Sequence, residues 1–186
     1  VATAPSSTAL SSTALSSTAS EATPLRGRDR YPRKDRRTAE EMETPMPVRK
    51  GHAVWSGDLK SGNGTVSVES GTFDASYSFP SRFEQGPGTN PEELIGAALA
   101  ACFSMSLSNG LAKDGHPPTR VETEARVHLS TEGGAHLTRI DLVCEAEVPG
   151  IDEATLRRYA DDAKSGCPVS KALTGVEITL QATLSS

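Results

Sequence analysis

Residues 94–112 run for 19 positions without a charge, and no other feature narrows the possible folds as much. The segment opens with helix-start chemistry. Asn90 suits an N-cap, Pro91 the first helical position, and Glu93 falls three residues after the cap. Apolar and small residues follow all the way round, so the helix is expected to be buried on all sides. Its length would also fit a membrane span. Ser104, Ser106, Ser108, Asn109, two glycines and many alanines make a poor one. The reading taken is therefore a buried helix of a soluble protein with no membrane partner, fraying near Gly110 or Gly115 and carrying Cys102 in its middle.

The segments around it alternate with period two. Residues 52–55, then Val66 and Val68, then Phe73, Ala75, Tyr77 and Phe79 suggest an antiparallel meander with one buried face and a Gly-rich turn at 61–64. Residues 80–89 are read as a loop carrying Arg82. After Pro117-Pro118, Val121, Thr123, Ala125, Val127 and Leu129 share one face. Beyond the Gly133-Gly134 turn, Ile140, Leu142, Cys144, Ala146 and Val148 share another. Residues 152–165 form an amphipathic helix pattern capped by Asp152 and ended by Gly166. Pro168 opens a further short helix, and Val176, Ile178, Leu180, Ala182 and Leu184 form a last strand. The order βββ-α-ββ-α-α-β predicts an α+β fold, its strands antiparallel and packed around the central helix, with few connections long enough for parallel crossovers.

Charge divides the chain in two. Residues 1–50 hold 9 of the 19 Lys and Arg against six acids, leaving the remainder at a net charge of −8. An acidic body argues against nucleic acid as a partner, since phosphate binding needs a basic surface. Residues 6–20 repeat SSTAL, SSTAL, SSTAS, a tract with too little apolar surface to offset chain entropy. Residues 1–47 are expected to form a disordered tail of Ser/Thr/Ala repeat and Arg-rich sequence, and 48–186 one folded domain. Three cysteines cannot all pair within one chain, which disfavours a secreted disulfide scaffold and favours the reducing cytoplasm.

Cys144 falls on the apolar phase of a strand and is read as a structural thiol. Cys167 stands at a helix start beside Pro168, where unpaired N–H groups and the helix dipole favour thiolate. Cys102 lies in apolar company, where desolvation opposes the thiolate unless a cation is close. Neither has a second Cys or His at zinc-ligand spacing, and His52, His116, His128 and His136 are scattered. The residues alone leave both a peroxidatic pair and two core thiols open. Arg82 by itself reads as a surface charge, and Glu92 as a first-turn partner of the helix dipole.

The run GPGTNPEELIGAALAACFSMSLS at 86–108 and the run GCPVSKAL at 166–173 together resemble the OsmC/Ohr family of thiol-dependent peroxidases, the osmotically inducible protein C and organic hydroperoxide resistance proteins. GHAVWSG at 51–57 and VPGI at 148–151 add to the match, which covers roughly residues 49–184. SRFEQGPGTNPEEL and CPVSKAL look like the OsmC branch. The resemblance implies an OsmC-like fold and an intertwined homodimer, with two central helices wrapped by strands of both chains. It implies reduction of organic hydroperoxides in oxidative and osmotic stress defence, Cys102 becoming a sulfenic acid and Cys167 resolving it to a disulfide. An external dithiol of lipoyl or thioredoxin type would then reduce that bond, with no metal, haem or flavin cofactor. Arg82 would support the Cys102 thiolate and Glu92 would orient Arg82. Glu92 and Cys102 are ten residues apart, roughly 15 Å on a straight helix, so a second chain's Glu92 is expected nearer to this Cys102. The alternative is a non-catalytic stress or ligand-binding protein on the same fold.

Overall fold

The computed structural model describes residues 46–185. The expected tail at 1–47 lies almost wholly outside the described residues. The Asn90 side chain accepts from the Glu93 N–H at 2.9 Å, and Pro91 takes the first turn of a helix, here α2, that runs Pro91–Lys113. Three strands precede it: β1 (Gly51–Ser56), β2 (Asn63–Val68) and β3 (Asp74–Ser78) form an antiparallel sheet in that order. Residues 80–89, read as loop, begin instead inside a short helix, α1 (Phe79–Phe83). Its cause is local: Ser78 and Ser81 cap each other's backbone N–H, and Pro80 sits in the first turn.

After α2 come β4 (Arg120–Ser130), β5 (His136–Glu147), α3 (Glu153–Gly166), α4 (Pro168–Ala172) and β6 (Glu177–Ser185). β4 and β5 pair antiparallel, as their alternation suggests. β6 departs from the expected all-antiparallel arrangement, pairing parallel to β5 with Ile140 opposite Ile178 and Leu142 opposite Leu180. The stretch holding α3 and α4 supplies the crossover that a parallel pair needs.

One stripe of α2, Gly96, Leu99, Phe103, Leu107 and Leu111, is buried against β4, α3 and α4. Fully burying one Leu or Phe stabilises by about 1.5–3 kcal/mol, so four outweigh the ~1 kcal/mol that each interior glycine costs the helix. Gly96 serves the packing directly. A Cβ there would stand 3.0 Å from the Ala125 carbonyl oxygen on β4. Ile140, Leu142, Cys144 and Ala146 of β5, with Leu156, Ala160 and Ala163 of α3, complete the core.

Burial on all sides is not what one chain provides. Ala97, Ala98, Ala101 and Met105 on the opposite side of α2 are exposed, Met105 at 74%. The β1–β3 sheet shares this condition. Its main contact with the helices is α1 on β3, and β1 is exposed everywhere except at Trp55, which is only half-buried.

Candidate active site

Local capping chemistry builds the first half of the site. The Ser81 hydroxyl donates to the Thr89 carbonyl at 2.8 Å, and the Asn90 side-chain amide donates to the Ser81 carbonyl at 3.1 Å. These bonds clip α1 onto the start of α2. They bring Arg82, in the last turn of α1, over Glu92, in the first turn of α2. Arg82 Nη2 donates to Glu92 Oε1 at 2.8 Å, and Nε reaches both carboxylate oxygens at 3.2 Å. The guanidinium also lies 5.1 Å over the Phe83 ring. Glu92 is a buried carboxylate, 8% exposed, and a fixed, permanently charged fork of donors is the partner such a group needs.

Arg82 lines two hollows. A cleft of about 300 Å³ beside Glu92 is walled by Ala125, Val127 and Leu129 of β4. With Trp55, Tyr77, Phe79 and Phe83 it also lines an aromatic pocket of about 230 Å³. Arg82 thus contributes to both a mixed cleft and an apolar pocket.

The second half of the site is the cysteine pair. Cys102, half-buried on α2, and Cys167 are joined as a disulfide, 65 residues apart in sequence and 6.1 Å between Cα atoms. Cys167 is fully enclosed. It is at once the C-cap of α3, its N–H donating to the Ala163 carbonyl at 2.9 Å, and the N-cap of α4. Extended backbone at this residue turns the chain between two helices and lays its sulfur against α2. Pro168 enforces the break, because the residue before a proline is kept out of the helical region.

Cys144 keeps the place its strand phase suggests, 1% exposed and free. Burial pushes its thiol pKa up, against a weaker opposing bond from Thr123. Thr123 also accepts from Ser104 of α2 at 2.8 Å.

The four expected residues form two pairs rather than one cluster. Arg82 meets Glu92 of its own chain, and that pair lies ten residues up α2 from Cys102. Sequence reasoning missed α1 and its clip, though the Ser78-x-x-Ser81 spacing was a signal. It also missed a polar network on the outer face of the second sheet. There the Asp141 carboxylate accepts from Thr179 at 2.6 Å, meets His128 Nε2 at 2.7 Å, and pairs with Arg139 Nε at 2.8 Å. The bonds from Thr179 and His128 hold the Asp141 pKa down to about 2. Among the described residues, no group of three or more His, Cys, Asp or Glu is placed to hold a metal ion.

Comparison with known proteins gives one answer at three levels. The family model of OsmC-like proteins matches residues 84–181. The chain is 51% identical over 140 residues to Peroxiredoxin OsmC of Escherichia coli, covering 74% of this chain and 97% of that one. It is 35% identical over 97 residues to the organic hydroperoxide resistance protein of Xanthomonas axonopodis pv. citri, covering 51% of this chain and 67% of the other. Among solved structures, that of the organic hydroperoxide resistance protein OhrB of Bacillus subtilis superposes with a TM-score of 0.58 at 25% identity, over 72% of this chain and 98% of that one. An OsmC-like protein from Mycoplasma pneumoniae gives a TM-score of 0.61 at 19% identity, over 76% of this chain and all of that one. This last likeness bears on the fold alone.

Proposed function

Since the chain belongs to the OsmC-like protein family, we propose that it is a cysteine-based peroxidase that reduces organic hydroperoxides in stress defence. The observation that carries this reading is the disulfide between half-buried Cys102 and enclosed Cys167, beside a third thiol that stays free.

Cys102 thiolate attacks the terminal oxygen of ROOH, the O–O bond breaks, and ROH leaves as the sulfur becomes a sulfenic acid. Cys167 then attacks that sulfur, water departs, and the disulfide forms. An external dithiol of lipoyl or thioredoxin type returns both thiols. The chemistry calls for no metal or organic cofactor, and the cytoplasm is the compartment in which Cys144 and the resting pair stay reduced.

Arg82 supplies the charge that an apolar site needs to favour thiolate, and Glu92 fixes its direction. Their separation from Cys102 along α2 supports a site shared between two copies. An antiparallel pairing of two α2 helices would lay Arg82 and Glu92 of one chain against Cys102 of the other. Two observations support this homodimer: the uncovered row of Ala97, Ala98, Ala101 and Met105, and a three-stranded sheet without its own core.

The test is direct. One equivalent of cumene hydroperoxide added to fully reduced protein should lower the free thiols from three to one per chain. Mass spectrometry should find the new bond between Cys102 and Cys167. Three free thiols after treatment, with the peroxide unconsumed, would refute the proposal.

A further inference from the structure

A hydroxyl with nothing to bond lies one helical turn from the enclosed end of the cysteine pair. Ser170 is 7% exposed, and its Oγ has no hydrogen-bond partner among the described residues. Native proteins keep few such groups, because a buried donor stripped of water and given no partner destabilises the state that contains it. In α4, Cys167 is the N-cap and Ser170 occupies position N3. In a capping box the N3 side chain turns back toward the N-cap residue, and here the N-cap N–H, that of Cys167, is already taken by the Ala163 carbonyl at 2.9 Å. Cys167 makes no side-chain capping bond, and its sulfur is tied to Cys102.

The acceptor strength of that sulfur depends on its redox state. In a disulfide it is a poor acceptor. As a thiolate it carries a full charge, and hydrogen bonds to charged acceptors are about twice as strong as neutral ones. We propose that Ser170 is a positioning residue of the redox couple, its hydroxyl donating to the Cys167 sulfur only once the disulfide opens. The proposal rests on the reading of Cys102 and Cys167 as the working pair.

Reduction then has a direction. Cys167 is fully enclosed and Cys102 half-buried, so an incoming dithiol reaches Cys102. One thiolate of the dithiol attacks Cys102 Sγ, the intrachain S–S bond breaks, and its electron pair leaves on Cys167 Sγ. Ser170 turns its O–H toward that thiolate and keeps its proton throughout. The second thiolate of the dithiol attacks its own sulfur in the mixed disulfide. Cys102 leaves as thiolate and the dithiol departs oxidised. Thiol–disulfide exchange is faster when the leaving thiol is more acidic. A waiting donor therefore speeds reduction and makes the disulfide easier to reduce.

The experiment compares the full chain with its Ser170→Ala variant. Each is equilibrated in dithiothreitol redox buffers, and the Cys102–Cys167 disulfide is quantified by alkylation and mass spectrometry. The expected result is a couple about tenfold harder to reduce, a midpoint about 30 mV more negative, with dihydrolipoamide reducing the variant correspondingly more slowly. Thermal melts separate this from a structural role. Oxidised Ser170→Ala should melt no lower than the parent, having lost an unpaired buried hydroxyl, whereas the reduced variant should melt lower. An unchanged midpoint, or equal losses of stability in both redox forms, overturns the proposal. The redox titration needs no peroxide, so a parent chain inert toward cumene hydroperoxide would sink the peroxidase reading alone.

Discussion

Replacing Arg82 with Lys keeps the charge and removes the fork. In the structure the guanidinium makes three hydrogen bonds to Glu92, one from Nη2 and two from Nε. An ammonium can keep roughly one of them as a point contact. Hydrogen bonds to charged groups contribute about 1.5–3 kcal/mol each when buried. The Arg82 side chain, however, is 32% exposed, and solvent screening pulls the pair toward the low end. Arg82→Ala, which strands the buried Glu92 carboxylate, should therefore cost about 2 kcal/mol, and Arg82→Lys about 1 kcal/mol. For a domain of this size each kcal/mol lowers Tm by about 2–4 °C. A double-mutant cycle with Glu92→Gln isolates the pair and should return a coupling of at least ~1 kcal/mol. Activity gives the second readout. Both Arg82 variants should slow peroxide consumption about tenfold, equivalent to ~1.4 kcal/mol of barrier, and move the onset of Cys102 alkylation to higher pH. A coupling near zero would refute the structural argument. An unmoved alkylation profile in Arg82→Ala would falsify the catalytic one, leaving Arg82 only the structural partner of Glu92.

Three other outcomes are expected. Cys102→Ser should abolish peroxide reduction, whereas Cys167→Ser should complete one turnover and stop at sulfenic acid, as stopped-flow kinetics and mass spectrometry can resolve; repeated turnover by Cys102→Ser would remove it from the chemistry. Ala101→Glu places a charge on the uncovered side of α2 and should leave each chain's core packed while dissociating the proposed dimer, so a variant that still sediments as a dimer excludes that face as the interface. Asp141 has its pKa lowered from 3.8 to about 2 by Thr179 and His128. It therefore adds stability that is fully present above pH 3.8 and is lost as pH falls toward 2. Asp141→Asn should flatten that part of a urea-midpoint against pH profile, and an unaltered acid slope would show that the network does not bear on stability.

Much of this protein is written locally. The start of α2 needs only Asn90, Pro91 and Glu93, because a cap is satisfied within four residues. The break at Cys167 needs only Pro168, whose ring excludes a helical neighbour before it. Strand faces are equally legible: the alternation at 121–129 and 140–148 has period two and one buried side, and that alone assigns Cys144 to the core. The cysteine motifs, in their surrounding sequence, identify the family by themselves.

The tertiary structure decides what periodicity cannot carry. An alternating run reads the same in both directions, so β6 could be taken as antiparallel until its register with β5 showed it parallel. The 19-residue uncharged run within α2 suggests cover on every side without saying which side its own chain covers. The packing answers that, with Leu99, Phe103, Leu107 and Leu111 turned inward and Ala97, Ala98, Ala101 and Met105 left open. The functional pairs are decided at this level too. Arg82 and Glu92, ten residues apart, meet because a serine-capped turn folds α1 back on α2. Cys102 and Cys167, 65 residues apart, meet because α3 and α4 bring the chain back across that helix. Local chemistry sets each residue's conformation, but only the folded chain sets the distance between residues that are far apart in sequence.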